Sequence, residues 1–412
     1  MRRRSTLLAV ACLAALLLAV ASAQAASRCE QMRSWVRSGG SASGLLVVDT
    51  ESGRTVCASA PGRQRVLASN TKLFTTAAAL SQLGPETRLP TRVFANGSIN
   101  PNGVLRGSLY LKGGGDPTLG TPAFTRGYLA GQGTNLFALT PQIRAAGIKS
   151  ITGRVYADAT IFDNVRGVAD SGYATSPYIG PLSGLSFNAG FNGSTSGSGF
   201  SSDPAKLAAA KLARSLGNAG VRVPRQVALA TTPPQAEEVA VVRSPTLDQI
   251  VNVTDVYSNN FFAETLVKLL GARLGTAGTT AAGTAVVEQF ARSHGSGINA
   301  VDGSGLTRSN RASPRQVVDL LLAMRDDPAG ENFIQDLALS GKEGTVDNRM
   351  GGRAYGRCRV KTGTLTGVSA LSGYCFNTSG RVMAFSILNN GVSSTSTAHY
   401  YQDRIASAVA GY

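Results

Sequence analysis

Apolar positions along the chain follow two periods, and the change between them predicts the first elements. Residues 44–60, GLLVVDTESGRTVCASA, contain two short apolar runs about a glycine-containing turn, which is typical of paired strands. The stretch that follows, VLASNTKLFTTAAAL at 66–80, is apolar over most of its length and predicts a helix that begins near Ser69.

The pattern changes between about Arg88 and Pro245. Short strand patterns such as SLYLKG and GRVYAD alternate with turns, and residues 188–203 are rich in glycine and serine, which predicts a flexible loop. The segment PAKLAAAKLARSLGNAG predicts a helix that ends in glycine, and TTPPQA at 231–236 is typical of a linker.

Longer helical patterns return after this region, in SNNFFAETLVKLLGARLG and SPRQVVDLLLAMRDD, and AHYYQDRIASAVAGY predicts a C-terminal helix. We therefore predict one domain built from both ends of the chain, residues 26–85 and 246–412, with an inserted domain at 86–245.

The first 25 residues have the pattern of a secretory signal. Three arginines precede an apolar run from Leu7 to Val20, and small-residue cleavage sites end at Ala23 or Ala25. The run is short for a membrane span, which needs about 20 residues; a retained anchor is the alternative. We expect an exported protein of the periplasm, the extracellular space or the cell envelope.

Four cysteines lie outside the signal segment: Cys29, Cys57, Cys358 and Cys375. In an oxidising compartment an even number favours disulfides over metal ligands. The strand patterns GRCRVKTG and LSGYCFN flank a turn at 366–367, and a hairpin centred there places Cys358 opposite Cys375. We therefore expect the bonds Cys29–Cys57 and Cys358–Cys375.

The chain is strongly basic, with a formal net charge of +16, and it remains basic without the arginines of the signal. Such a surface suits a polyanionic neighbour: nucleic acid, an anionic membrane surface or an acidic cell-wall polymer. Because export separates the protein from nucleic acid, we expect no nucleic-acid partner. The alternative is that the charge only keeps an exported protein in solution.

Ser69 and Lys72 stand three residues apart at the start of the predicted apolar helix. Residues at i and i+3 share a helical face, with about 5–6 Å between Cβ atoms, so a lysine can serve as base for a serine nucleophile. Burial and a second cation would lower the pKa of that lysine, as the role requires. The alternative is a helix cap at Ser69 with Lys72 in solvent.

Two further motifs follow in the chain. VKTGTLTG at 360–367 is a strand that ends in small hydroxyl residues, against which a peptide could lie with its carboxylate near Lys361, Thr362 and Thr364; the alternative is an exposed strand end. SNN at 258–260 opens a predicted helix, which favours it over the similar SxN patterns at 98–100 and 186–188. The two histidines, His294 and His399, are interpreted as surface residues, which argues against a Ser-His-Asp triad.

The order SxxK, SxN and KTG resembles the penicillin-recognising serine acyltransferases, in particular the class C low-molecular-mass penicillin-binding proteins, the D-alanyl-D-alanine carboxypeptidase/endopeptidase family. The resemblance extends to LKGGGDPTL, GRVYADATIFD, GPLSGLSFN, VDGSGLTRSN and LSGKEGTVDNRM. It implies an α+β fold: a β-lactamase-like transpeptidase domain with an antiparallel sheet flanked by helices, a helical subdomain, and a β-rich inserted domain that is reduced here.

The resemblance also implies roles for the motif residues. Ser69 would be the acylated nucleophile and Lys72 its base, Ser258 would relay a proton to the leaving group, and Asn260 would bind the substrate peptide and orient Lys72.

On the KTG strand, Lys361 would supply the second cation. Thr362, Gly363 and Thr364 would bind the substrate carboxylate, and the backbone N–H groups of Ser69 and Thr364 would form the oxyanion hole. The family also has an aspartate in a tryptophan-rich stretch that recognises a cationic side chain; only Asp170 lies nearby here, without tryptophan.

We therefore expect a penicillin-sensitive serine D-alanyl-D-alanine carboxypeptidase that needs no cofactor or metal. Its substrates would be peptidoglycan stem peptides ending in D-Ala-D-Ala, and β-lactams would be covalent inhibitors. An endopeptidase activity stays open. The alternatives are a β-lactamase and a non-catalytic, basic cell-wall-binding protein on the same fold.

Overall fold

The computed structural model describes residues 26–129, 131–193, 198–224, 226–378 and 380–412, and the predicted signal segment lies outside them. The strands are β1 (Gly44–Asp49), β2 (Thr55–Ser59), β3 (Arg65–Val66), β4 (Arg88–Ile99), β5 (Val104–Lys112), β6 (Ser150–Ile151), β7 (Val155–Asp158), β8 (Val227–Leu229), β9 (Glu237–Thr246), β10 (Arg311–Ala312), β11 (Ala338–Leu339), β12 (Cys358–Leu365), β13 (Val368–Phe376) and β14 (Val382–Asn390). The helices are α1 (26–38), α2 (Thr71–Leu83), α3 (Pro122–Tyr128), α4 (Leu139–Ala145), α5 (Pro204–Asn218), α6 (Leu247–Val256), α7 (Asn260–Leu274), α8 (Thr280–Ser293), α9 (Pro314–Asp326), α10 (Gly330–Gln335) and α11 (Thr395–Val409).

The chain divides into two compact units. The first contains the residues up to Leu67 together with Ala312–Leu322 and Ala338–Tyr412, and the second contains Ala68–Arg311 and Ala323–Leu337. This partition by contacts differs from the predicted domains, because the helices next to the inserted region group with it. The predicted boundaries at 86 and 245 stay a prediction; the strands of the sheet in the second unit lie between Arg88 and Thr246.

The first unit is built on an antiparallel sheet with the strand order β11-β12-β13-β14-β1-β2. Strands β1, β13 and β14 are buried along nearly their whole length, because both faces of the sheet are covered. Helix α11 packs on β13 and β14, and the side-chain amide of Gln402 donates to Ser369 and Asn389 at 3.0 Å each.

Both predicted disulfides are present in this unit. Cys29 is bonded to Cys57, and Cys358 is bonded to Cys375. The hairpin register is as the sequence predicted, since Cys358 pairs with Cys375 across β12 and β13, and the turn lies between Leu365 and Val368.

The second unit combines a sheet with a helical cluster. The strand order is β8-β7-β5-β4-β9, with β6 beside β5; β4 runs antiparallel to β5 and β9, and the other pairs are parallel. Helices α4 and α5 pack against this sheet. Helix α2 contacts α6, α7 and α8, so its residues from Thr71 to Leu80 are all buried. This central position accounts for the apolar run from Ala77 to Leu80.

The predicted loop at 188–203 includes residues 194–197, which lie outside the described part. On either side of them, Phe191 and Phe200 form an antiparallel bridge, and their rings stack with centroids 4.7 Å apart. The predicted linker at 231–236 contains no helix or strand.

The close packing of α7 and α8 generates a first prediction. An added Cβ at Gly283 in α8 would lie 1.8 Å from the carbonyl oxygen of Val267 in α7, whereas a Cβ at Gly217 in α5 would meet nothing within 4 Å. We expect Gly283→Ala to destabilise the protein by about 1–3 kcal/mol, the usual cost of overpacking. The measurement is chemical denaturation.

Gly217→Ala is the matched control, since alanine in a helix is favoured over glycine by about 0.5–1 kcal/mol. Equal effects of the two substitutions would contradict the close approach of α7 and α8.

Candidate active site

Ser69 lies in a short 3₁₀ turn, Ala68–Asn70, and α2 begins two residues later at Thr71. The side chain of Lys72 is fully buried, and the N-cap position of α2 belongs to Asn70. The alternative of a capping serine with a lysine in solvent is therefore wrong.

The ammonium group of Lys72 is the centre of this site. Its Nζ donates to Oγ of Ser69 at 3.1 Å, to Oδ1 of Asn260 at 2.7 Å and to the carbonyl oxygen of Ser304 at 2.7 Å. An ammonium group has three donors, so these contacts satisfy all of them. The structure thus brings together Ser69, Lys72 and Asn260.

The SNN motif lies between α6 and α7, as expected. Ser258 has a φ of +57°, Asn259 caps α7 by accepting from the N–H of Phe262 at 3.1 Å, and Asn260 is the first helical residue. The side-chain amide of Asn260 donates to the carbonyl oxygen of Tyr178 at 3.0 Å, which fixes its oxygen toward Lys72.

Ser258 and Asn260 line a cavity of about 270 Å³ whose other walls are mainly aromatic, with Tyr178, Phe191 and Phe200 among them. Ser258 is partly exposed there. It therefore has access to a molecule that enters this cavity.

Residues 302–310 contain one acceptor of Lys72, the Ser304 carbonyl, and contacts within the segment hold it in place. Both carboxylate oxygens of Asp302 accept backbone N–H groups, from Gly305 at 2.7 Å and Thr307 at 2.8 Å. Gly305 has a φ of +84°, and an added Cβ would lie 1.9 Å from the carbonyl oxygen of Ala68. Only glycine allows the segment to approach the turn of Ser69 so closely.

Sequence reasoning missed Glu264, which is fully buried in α7. Its Oε1 accepts the N–H groups of Gly303 at 3.0 Å and Ser304 at 2.7 Å, and its Oε2 is buried with no hydrogen-bond partner among the described residues. Its two partners lie in the segment VDGSGLTRSN, which the family resemblance includes but to which the motifs assign no role.

Burial dominates the electrostatics around Lys72. Burial, and secondly the charge of Asp302, raises the pKa of Glu264 to about 8. Burial also raises the pKa of Asp302, although backbone N–H groups oppose it. One turn after Glu264, burial lowers the pKa of Lys268, while its ion pair with Asp163 acts in the opposite direction.

The KTG motif lies on β12 in the first unit. Lys361 is buried and its Nζ donates to the carbonyl oxygen of Thr362 at 3.1 Å, while Thr364 is exposed. Strand β11 pairs only with Arg359 and Val360. On the side of β12 away from β13, none of the strands that the structure describes therefore pairs with residues Thr362 to Leu365, which include Gly363.

It stays a prediction that the KTG residues form one site with Ser69, Lys72, Ser258 and Asn260.

His294 lies at the end of α8 and His399 lies in α11. In the described ranges no group of three or more His, Cys, Asp or Glu residues is placed to hold a metal ion.

Comparison with known proteins identifies the class. The model of the D-Ala-D-Ala carboxypeptidase 3 (S13) family matches residues 36–196 and 192–411. A D-alanyl-D-alanine carboxypeptidase of Actinomadura sp. (strain R39) is 32% identical over 455 residues, covering 90% of this chain and 82% of that protein. A carboxypeptidase of Mycobacterium tuberculosis is 30% identical over 336 residues, covering 79% of this chain and 71% of that protein.

The crystal structure of penicillin binding protein 4 from Haemophilus influenzae superimposes with a TM-score of 0.79 at 19% identity, covering 92% of this chain and 99% of that one. This likeness confirms the predicted α+β, penicillin-binding fold. The family model and the relatives define a D-Ala-D-Ala carboxypeptidase. The chain belongs to the D-Ala-D-Ala carboxypeptidase 3 (S13) family, which confirms the predicted serine-type D-alanyl-D-alanine carboxypeptidase.

The buried carboxyl of Glu264 generates a prediction on pH. Its pKa of about 8 in the folded protein lies above the ordinary value of 4.5, so the folded state holds a proton that the unfolded chain releases. The wild type should lose stability as pH rises between these values. Glu264→Gln has no such proton, so its melting temperature relative to the wild type should rise between about pH 5 and pH 8.

The groups that interact electrostatically with Glu264 are Asp302, Lys72 and, one turn later on the same helix, Lys268. Glu288→Gln is the matched control, because Glu288 also accepts a backbone N–H, from Ala300 at 2.9 Å, but is partly exposed. A pH-independent difference between Glu264→Gln and the wild type would contradict the raised pKa.

Proposed function

We propose that Ser69 is the nucleophile of this D-alanyl-D-alanine carboxypeptidase and that Lys72 is its general base. The observation that carries the proposal is the 3.1 Å contact between Nζ of Lys72 and Oγ of Ser69. In its neutral form the amine accepts the hydroxyl proton while Oγ attacks the carbonyl carbon of the penultimate D-alanine. Collapse of the tetrahedral intermediate breaks the peptide bond and leaves the acyl group on Ser69.

Asn260 and Ser258 complete this half of the proposed site. Asn260 orients Lys72 through Oδ1 and binds the substrate's peptide group, and its own amide is held by Tyr178. Ser258 lies beside it in the cavity wall and relays a proton to the nitrogen of the departing D-alanine. These roles are supported by the contacts and by the motif match.

The edge of β12 supplies the other half of the proposal. Lys361 contributes positive charge, Thr362, Gly363 and Thr364 bind the carboxylate of the terminal D-alanine, and the N–H groups of Ser69 and Thr364 stabilise the oxyanion. The strand edge from Thr362 to Leu365, with which no described strand pairs, supports this assignment, because an extended peptide can pair with it.

Water completes the reaction by hydrolysing the acyl-enzyme, and a β-lactam would form the corresponding adduct. A β-lactamase needs a carboxylate placed to activate that water. The carboxyls that interact electrostatically with Lys72, those of Glu264 and Asp302, are buried and accept backbone N–H groups instead. This supports slow deacylation and hence a penicillin-sensitive peptidase rather than a β-lactamase.

The proposed substrates are peptidoglycan stem peptides that end in D-Ala-D-Ala, and the proposed location is the cell envelope after export. Across the described ranges, none of the helices has the length and apolar character to cross a bilayer. A role of the net positive charge, which persists without the arginines of the signal, in binding an anionic cell-wall polymer or membrane surface remains part of the proposal.

The first functional prediction concerns acylation. Fluorescent penicillin should label the wild type at Ser69, and both Ser69→Ala and Lys72→Ala should lose labelling, the second by at least about a hundredfold because the serine loses its base. Peptide mapping by mass spectrometry locates the adduct. Lys206→Ala is the control, since that lysine is exposed on α5.

Circular dichroism should show that all variants are folded. Wild-type labelling in folded Lys72→Ala would refute the role of Lys72, and an adduct that persists in Ser69→Ala would refute the nucleophile. Rapid turnover of penicillin without an accumulated adduct would favour the β-lactamase alternative.

The second functional prediction concerns the substrate carboxylate. A peptide that ends in a free D-Ala-D-Ala should be cleaved with a kcat/KM at least about tenfold above that of its C-terminal amide, because charge-assisted hydrogen bonds are the stronger ones. Thr364→Val should reduce this preference while the fold stays intact, since it removes one exposed hydroxyl at similar volume.

Thr378→Val is the matched control, because Thr378 is also exposed but lies after β13, away from the motif. Equal rates on acid and amide with the wild-type enzyme would refute the carboxylate site and would favour an endopeptidase that acts on internal cross-links.

A further inference from the structure

The backbone of Ser304 is held from both sides. Its carbonyl oxygen accepts from Nζ of Lys72 at 2.7 Å, and its N–H donates to Oε1 of Glu264 at 2.7 Å. The same carboxyl oxygen accepts the N–H of Gly303 at 3.0 Å. The position of the Ser304 carbonyl, which is one acceptor of Lys72, therefore depends on Glu264, which binds the N–H of the same residue.

Two helices converge on this segment. Glu264 and Asn260 are four residues apart on α7 and so lie on the same helical face. Asn260 contacts Lys72 directly, and Glu264 reaches it through Ser304. From α2, Oγ1 of Thr75 donates to the carbonyl oxygen of Gly303 at 2.9 Å. The peptide groups of residues 303 and 304 are thereby fixed at both N–H groups and both carbonyls.

We propose that Glu264 is a positioning residue for catalysis, whose Oε1 holds the Ser304 carbonyl as the third acceptor of Lys72. The inference rests on the proposed role of Lys72 as the base. Without Oε1, two buried N–H groups lose their acceptor, the segment shifts to find others, and Nζ of Lys72 is no longer held against Oγ of Ser69.

The surroundings of Glu264 indicate that it acts by holding the backbone of Gly303 and Ser304 in place and not by its negative charge. Its side chain is fully buried and Oε2 has no hydrogen-bond partner among the described residues, a setting that favours the neutral carboxyl. Burial accordingly raises its pKa to about 8. A neutral glutamine, which keeps an oxygen at the same position, should therefore replace it.

The test is the rate of acylation by benzylpenicillin, resolved into the dissociation constant of the non-covalent complex and the first-order rate of acylation. Glu264→Met keeps the volume and removes the acceptor, so the first-order rate should fall by about tenfold or more, as expected for a misplaced catalytic group. The dissociation constant should change less than about threefold, because Glu264 is fully buried and does not line the cavity of Ser258 and Asn260. Glu264→Gln should restore the rate to within about threefold of the wild type.

Glu288→Met and Glu288→Gln are the matched controls, since Glu288 also accepts a backbone N–H in the second unit. Both should acylate at the wild-type rate. If Glu264→Met does not fold, Glu264→Asp decides: it keeps the carboxyl group but is one methylene shorter, so its first-order rate should also fall.

A wild-type rate in folded Glu264→Met or, where that variant is unfolded, in Glu264→Asp would overturn the inference. A rate for Glu264→Gln as low as that of Glu264→Met would also overturn it and would assign Glu264 a role through its charge. Lys72→Ala separates the two proposals. If that variant acylates normally, the proposed function fails; if it is inactive while Glu264→Met is normal, only the positioning role fails.

Discussion

The buried ammonium group of Lys72 is the constraint on which the second unit depends. Removing such a group from water costs several kcal/mol unless its donors find acceptors. Its three acceptors come from the turn before α2, from the start of α7 and from residues 302–310. Because these segments are far apart in the sequence, the fold itself assembles the site, and a change in any one of them leaves a buried donor unpaired.

Each acceptor is in turn held by a contact of its own. Asn260 is fixed by the carbonyl of Tyr178, Ser304 by Glu264, and Ser69 by a turn that Gly305 approaches closely. This second set of contacts fixes side-chain directions within the tolerance that catalysis requires. Because the three acceptors approach Lys72 from different segments, α2 is surrounded by packed chain, and its residues from Thr71 to Leu80 are buried.

Local patterns were sufficient for much of the molecule. The hairpin of β12 and β13, with Cys358 opposite Cys375, follows from strand patterns around one turn, and the starts of α2 and α7 follow from apolar runs beside SxxK and SNN. The parallel pairs of β5 with β6 and β7 could not be predicted, because they join residues distant in sequence. Glu264 was missed for a similar reason: a glutamate in a helix is usually exposed, and only the tertiary structure shows that this one faces two backbone N–H groups.

A catalytic lysine imposes two opposed requirements on its surroundings. Its donors need acceptors, which hold the side chain in place, yet every full negative charge nearby stabilises the ammonium form that cannot act as a base. Its acceptors are all neutral groups: the Ser69 hydroxyl, the Asn260 amide and the Ser304 backbone carbonyl. Burial of Glu264 raises its pKa to about 8 and so shifts this carboxyl toward its neutral form. Glu264 thus helps to fix the position of Lys72 through Ser304. Its neutral form adds no negative charge that would keep the lysine protonated.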